Sequence, residues 1–121
     1  MVITEMPRLK THKILGTANP SAATNTNLFT VTLSSYVQLV SLTAANRSAN
    51  PVTIRIGIDV GGNGTDTPGD GEWLYYDLSV EGNATLLLDV TQGMWLGTQD
   101  DLVVYATTQD IAFVASGIEY A

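Results

Sequence analysis

Four carboxylates, an asparagine and five glycines fall within fifteen residues, DVGGNGTDTPGDGEW, positions 59 to 73. Oxygen ligands at that density suit a calcium ion, which takes roughly six to eight of them. Laid on the calcium-loop template, Asp59 stands at position 1, Asn63 at 5, Gly64 at the required glycine and Asp70 at the bidentate position 12. Gly61 leaves position 3 without a ligand oxygen, and the flanks read as strands where the template has helices. The template is matched in part and out of context. The reading adopted is a long hairpin loop, whose glycines supply left-handed backbone and whose acids keep it solvated, with no metal or other cofactor. Asp59, Asn63 and Asp70 are the metal candidates to locate.

Other chemistry finds less support. GGNG lacks the Lys-Ser/Thr that completes a phosphate-binding loop, and no helix follows to supply amides and dipole. His12 is the sole imidazole and stands between Thr11 and Lys13 with no nucleophile elbow in the chain, so it reads as a solvated side chain. Asp77 and Asp89 in adjacent expected strands, or Asp100 beside Asp101, are the carboxylate pairs to weigh, since a glycosidase holds two such groups about 5 to 9.5 Å apart. Twelve acids on a small surface make such pairs by chance. There is no cysteine, which excludes thiolate metal sites and cysteine nucleophiles. The expectation is a protein that is not an enzyme.

The aromatic residues are the better binding candidates. In EWLYYDLSV (72 to 80), strict alternation places Trp73 and Tyr75 on one face with Asp77 and Ser79, and Leu74, Tyr76, Leu78 and Val80 on the other. Trp73 and Tyr75 then form a pair fit for sugar stacking or a protein interface, or they cover an end of the fold. Trp95 in GMWLG reads as a loop anchor packed into the core edge.

The elements that must hold these residues are strands. VTIRIGIDV (52 to 60) puts Val52, Ile54, Ile56, Ile58 and Val60 on one face and polar residues on the other. LFTVTL (28 to 33), YVQLVSLTAA (36 to 45), ATLLLDV (84 to 90), DLVVYATT (101 to 108) and IAFVASGIEY (111 to 120) read similarly, and residues 94 to 96 add a short segment. Seven or eight strands with short connections and no helical stretch specify an all-β fold, an antiparallel β-sandwich or jelly-roll-like body. Residues 1 to 13 have no clear period and GTANPSAATNTN (16 to 27) has a linker's composition, so residues 1 to 27 are expected to be an arm and 28 to 121 the domain.

Charge adds to this. The formal net charge is −7, yet Arg8, Lys10, His12 and Lys13 cluster in the lead, leaving Arg47 and Arg55 against eleven acids in residues 14 to 121. An acidic body does not suit nucleic acid, whose binding rests on neutralising phosphates. No apolar run has the length of a membrane span, and the first residues lack the pattern of a secretory signal. Asn46, Asn63 and Asn83 match the glycosylation pattern, and no sugar is expected on them. Arg8, Lys10 and Lys13, with Trp73 and Tyr75, are the interface candidates.

Taken in order, LVSLTAANRSANPVTIRIGIDV, LYYDLSVEGNATLLLDV and DDLVVYATTQDIAFVASGIEYA resemble a group of small tailed-bacteriophage virion proteins. The group has an alternating strand ending in Asn before a Thr-Val/Ile run, a Tyr-Tyr-Asp strand (here Tyr75, Tyr76, Asp77) and an Asn-x-Thr turn (Asn83 to Thr85). It also has a Gly-x-x-Leu loop and a closing Phe-x-x-x-Gly-x-Glu strand (Phe113 to Glu119). The likeness spans about residues 28 to 121. Before the strand at Leu102 the group usually has Gly-Asp, where this chain has Gln99-Asp100-Asp101. The resemblance implies a capsid decoration or cement protein on the phage head surface, a homotrimer that binds joints between major capsid subunits. The rival reading is a tail or receptor-binding module that takes carbohydrate through Trp73 and Tyr75, with or without calcium in the 59 to 72 loop.

Overall fold

The computed structural model describes residues 10–62 and 67–121, which form nine strands and one short 3-10 turn. In chain order the strands are β1 (Lys10–Ala18), β2 (Thr26–Thr30), β3 (Tyr36–Asn46), β4 (Val52–Asp59) and β5 (Trp73–Val80), then β6 (Thr85–Leu87), β7 (Trp95–Leu96), β8 (Asp101–Ala106) and β9 (Ile111–Tyr120). Two antiparallel sheets share them. Sheet A runs β1-β9-β3, and the short β6 and β7 both pair along the far side of β3. Sheet B runs β2-β8-β4-β5. The sheets close face to face as the expected all-β antiparallel sandwich.

Alternation builds the core between them. Leu39, Leu42 and Ala44 of β3 and Ile111, Phe113 and Ala115 of β9 meet Ile54 and Ile56 of β4 and Leu102, Val104 and Ala106 of β8 in one cluster. All of these side chains are fully buried, and each large one contributes about 1.5–3 kcal/mol relative to exposure.

The lead of the chain differs from its expected role as an arm. Residues 10–18 are an edge strand of sheet A, paired with β9 from Lys10↔Tyr120 to Ala18↔Phe113. The stretch resembling a linker is fastened too: Asn19 Nδ2 donates to the carbonyls of Gln109 and Ile111, both at 2.7 Å, and the Ala23 amide donates to the Ala106 carbonyl at 2.8 Å. Asparagine and small residues here close a corner between the sheets. Only residues 1–9 of the expected arm, Arg8 among them, lie outside the described residues. At the other difference, ATLLLDV (84 to 90) holds a three-residue strand and then a 3-10 turn, Asp89–Thr91, so Asp89 is not on a strand beside Asp77.

Asn46, at the end of β3, joins the sheets. Buried to 4% exposure, its Nδ2 donates to the carbonyls of Asn50, Val80 and Glu81 at 2.7, 3.1 and 3.2 Å, while its Oδ1 accepts from the Ser48 amide and hydroxyl. That position has no room for a sugar.

Bulges break the alternation at several places. Leu15 on β1 and Val40 on β3 are the extra residues on either side of β9, Leu15 opposite Ala115 and Ser116 and Val40 opposite Ser116 and Gly117. Gly117 is required there: a Cβ would overlap the carbonyl oxygen of Gln38 and stand 2.9 Å from Leu15 Cδ1. On β5 the extra residues are Leu74 and Asp77, and Asp77 takes a left-handed backbone, φ 58°, which aspartate tolerates better than most side chains. Gln99, in the turn where the phage group has Gly-Asp, is also left-handed, φ 64°.

Candidate functional site

Two acids of the glycine-rich loop region, Glu72 and Asp100, are engaged with the backbone. Glu72 accepts from the amides of Val60 (3.3 Å) and Gly69 (2.7 Å), and Asp100 from those of Gly61 (3.0 Å) and Gly97 (2.8 Å). Asp59 and Asp101 are cross-strand neighbours on β4 and β8, buried to 1% and 5% exposure, and Asp101 accepts from Thr30 Oγ1, which accepts in turn from Asn27 Nδ2. The carboxylates thus staple a loop that folds back over sheet B. Pro68 and Trp73 press on Gly57, whose Cβ would stand 2.7 and 2.8 Å from them, and Val103 beside Gly57 is fully buried although its row faces outward.

Of the metal candidates, Asp59 is inside this staple, Asp70 is exposed and lines a different groove, and Asn63 lies outside the described residues. Among the described residues no three His, Asp or Glu side chains converge as a metal would need. His12 is exposed on β1 opposite Ile118. It shares a shallow depression with Ser116, whose hydroxyl bonds Ser41 Oγ at 2.7 Å.

The aromatic pair on sheet B is Trp73 with Tyr76, in place of Trp73 with Tyr75. The two extra residues on β5 shift its alternation, so Tyr75 stands opposite Ile56 and packs on the core, while Tyr76 stands opposite Arg55 and faces out. The Trp73 and Tyr76 rings lie 5.5 Å apart at 74°. The Arg55 guanidinium stacks 4.1 Å over Tyr76 and 4.6 Å over Tyr105, and its Nε donates to Asp77 Oδ1 at 2.7 Å. The hydrogen bond to Asp77 raises the Arg55 pKa further above its ordinary value, so the group stays charged.

Sequence reasoning missed a second aromatic group. On the outer face of sheet A, Tyr36, Trp95 and Tyr120 gather at one end, with ring centroids 5.3 to 6.4 Å apart. Trp95 is 55% exposed here and does not anchor the core. Val40, Leu87, Ile14 and Val114 extend the exposed apolar surface across the same face. Register assigns the outward rows, and none of them carries a carboxylate. They run Lys10, His12, Ile14 and Thr17 on β1, the even-numbered residues from Ala112 to Tyr120 on β9, and uncharged residues on β3, β6 and β7. Lys10 and His12 are its ionisable groups besides tyrosine; Lys13 turns instead to Glu119, at 2.8 Å. In a chain with twelve acids, this face is apolar and faintly basic. The signal was present in the sequence only as scattered residues, because the cross-strand register Tyr36↔Tyr120 and Gln38↔Trp95 brings them together.

No helix among the described residues is long and apolar enough to cross a membrane. No family model matches the chain, and no curated protein and no solved structure is significantly similar to it.

Proposed function

We propose that the chain is a structural protein of a tailed-bacteriophage virion, a capsid decoration protein that binds the head at joints between major capsid subunits through the outer face of sheet A. The observation that carries this reading is the acid-free, apolar character of that face on an otherwise acidic molecule. Apolar surface that is contiguous and rimmed by polar residues marks a protein contact, and exposed Trp and Tyr are the side chains that anchor such contacts. Four strands about 4.8 Å apart and ten residues of about 3.3 Å each present roughly 600 Å². A stable interface takes about 800 Å² per partner, so the β1 edge with Lys10 adds to it. Assembly as a homotrimer, which the phage resemblance implies, covers exposed sheet edges. The protein then acts by buried area and strand pairing, without turnover.

Cosedimentation with expanded, undecorated phage heads tests this. Wild-type protein saturates a fixed number of sites. Trp95→Asp and Leu87→Asp, which are exposed and leave the fold intact, lose that binding by at least about a hundredfold, since burying half an indole is worth roughly 3 kcal/mol. Wild-type protein that stays in the supernatant refutes the proposal. The Trp73–Tyr76 groove favours a second reading, a glycan-binding tail module, which predicts saturable binding on a glycan array.

A further inference from the structure

We infer that the outer face of sheet B carries a binding site for an organic cation, an ammonium or guanidinium group, in the groove formed by Trp73, Tyr76 and Asp70. The groove has a volume of about 470 Å³, room for an arginine side chain or a trimethylammonium head with its attached chain. Two of its walls are aromatic and nearly perpendicular, so they cannot close their faces on each other as a parallel stack does. Tyr76 is 57% exposed. The third wall is Asp70. Glu72, Asp77, Asp100 and Asp101 each accept a hydrogen bond, whereas Asp70 makes no hydrogen bond and no ion pair among the described residues.

The walls among the described residues are therefore electron-rich: a carboxylate and two aromatic rings, whose faces attract cations, with Arg55 already covering one face of Tyr76. An anion is repelled by them and by a net charge of −7. The protein contains its own example one strand away. Arg55 is held by Tyr76, Tyr105 and Asp77, two aromatic faces and a carboxylate. Trp73 and Asp70 complete a similar set around the shared Tyr76 ring, and Asp77 already offsets the Arg55 charge. The bulge at Asp77 is what turns Tyr76 outward and so builds both sets.

The site is independent of the capsid reading, which uses the opposite sheet. It is tested on the full chain by following the two tryptophan indole N–H resonances during titration with tetramethylammonium, N-acetylarginine amide and N-acetyllysine amide, with methyl glucoside as the neutral probe. The Trp73 resonance shifts and saturates, with half-saturation at roughly 1–30 mM for one exposed cation–π contact and one exposed ion pair. Asp70→Asn, an exposed isosteric change, weakens the effect about three- to tenfold, and salt weakens it likewise. Stronger binding of tetramethylammonium assigns the natural source to a quaternary head group, and stronger binding of the amides assigns it to a protein side chain; either supports the site. No saturable shift with any cation, a shift unchanged in Asp70→Asn, or an equal shift with methyl glucoside overturns it.

Discussion

Replacing Asn46 by alanine removes five hydrogen bonds at a side chain that bridges β3 to the end of β5. The cost is unequal among them. Val80 is fully buried, so its carbonyl loses a partner that water cannot replace, about 1–3 kcal/mol. The Asn50 and Glu81 carbonyls and the two Ser48 groups lie nearer solvent and lose about 0.5 kcal/mol each. The sum is about 4 kcal/mol. A domain of 121 residues unfolds with an entropy of roughly 0.25 kcal/mol/K at about 2.1 cal/mol/K per residue, so the melting temperature falls by about 16 °C. Asn46→Asp adds a sign test. Its carboxylate faces three carbonyl oxygens, which favours the protonated form when folded, so the variant gains stability as pH falls, opposite to an ordinary salt-bridged acid. Calorimetry of both variants between neutral and acid pH reads the result. A fall below about 4 °C for Asn46→Ala, or an Asp variant that loses stability in acid relative to wild type, refutes the bridging role.

Gly117→Ala sets a Cβ against the Gln38 backbone; since a strand carbonyl cannot move aside as a side-chain tip can, the loss exceeds about 3 kcal/mol, measured by urea unfolding. Gln99→Gly relieves a left-handed backbone and raises stability by about 0.5–1 kcal/mol, after the entropy glycine adds to the unfolded chain is subtracted. Asp77→Asn breaks the ion pair to Arg55, whose partners are 26% and 50% exposed, so it costs less than about 1 kcal/mol and the difference from wild type shrinks in high salt. Chelator leaves the melting temperature unchanged, because Glu72 and Asp100 are satisfied by amides; a fall on chelation, restored by calcium, would refute that account of the loop.

The sandwich was legible where period two is unbroken. Val52, Ile54, Ile56 and Ile58 all face the core as their spacing says, and most strand bounds lie within one or two residues of those read from the sequence. What was hidden has one physical cause. A bulge is an extra residue defined against a partner strand, so nothing local marks Leu15, Leu74 or Asp77 as extra. Ile14 and Leu15 are consecutive apolar residues, one outward and one inward, and this disguised β1 as an arm. Two extra residues on β5 exchanged Tyr75 for Tyr76 in the candidate groove. Trp95 was misplaced for a related reason: a two-residue strand takes its orientation from Gln38 across the ladder, which the segment GMWLG does not disclose. The loop acids were recognised as a cluster, but their amide partners come from positions up to 39 residues away.

The paired irregularities that flank Ser116 have a consequence for misassembly. A central strand that slides by one residue inverts its faces, and most sheets resist this through hydrophobic mismatch alone. Here β9 is pinned from both flanks at one point, and the tight space over Gly117 admits no other residue of that strand without a clash. Sliding would need Leu15 and Val40 to surrender their kinks together, so slipped pairings are excluded by geometry as well as by burial. A molecule with a sticky outer face needs that safeguard most while its strands are still finding their partners.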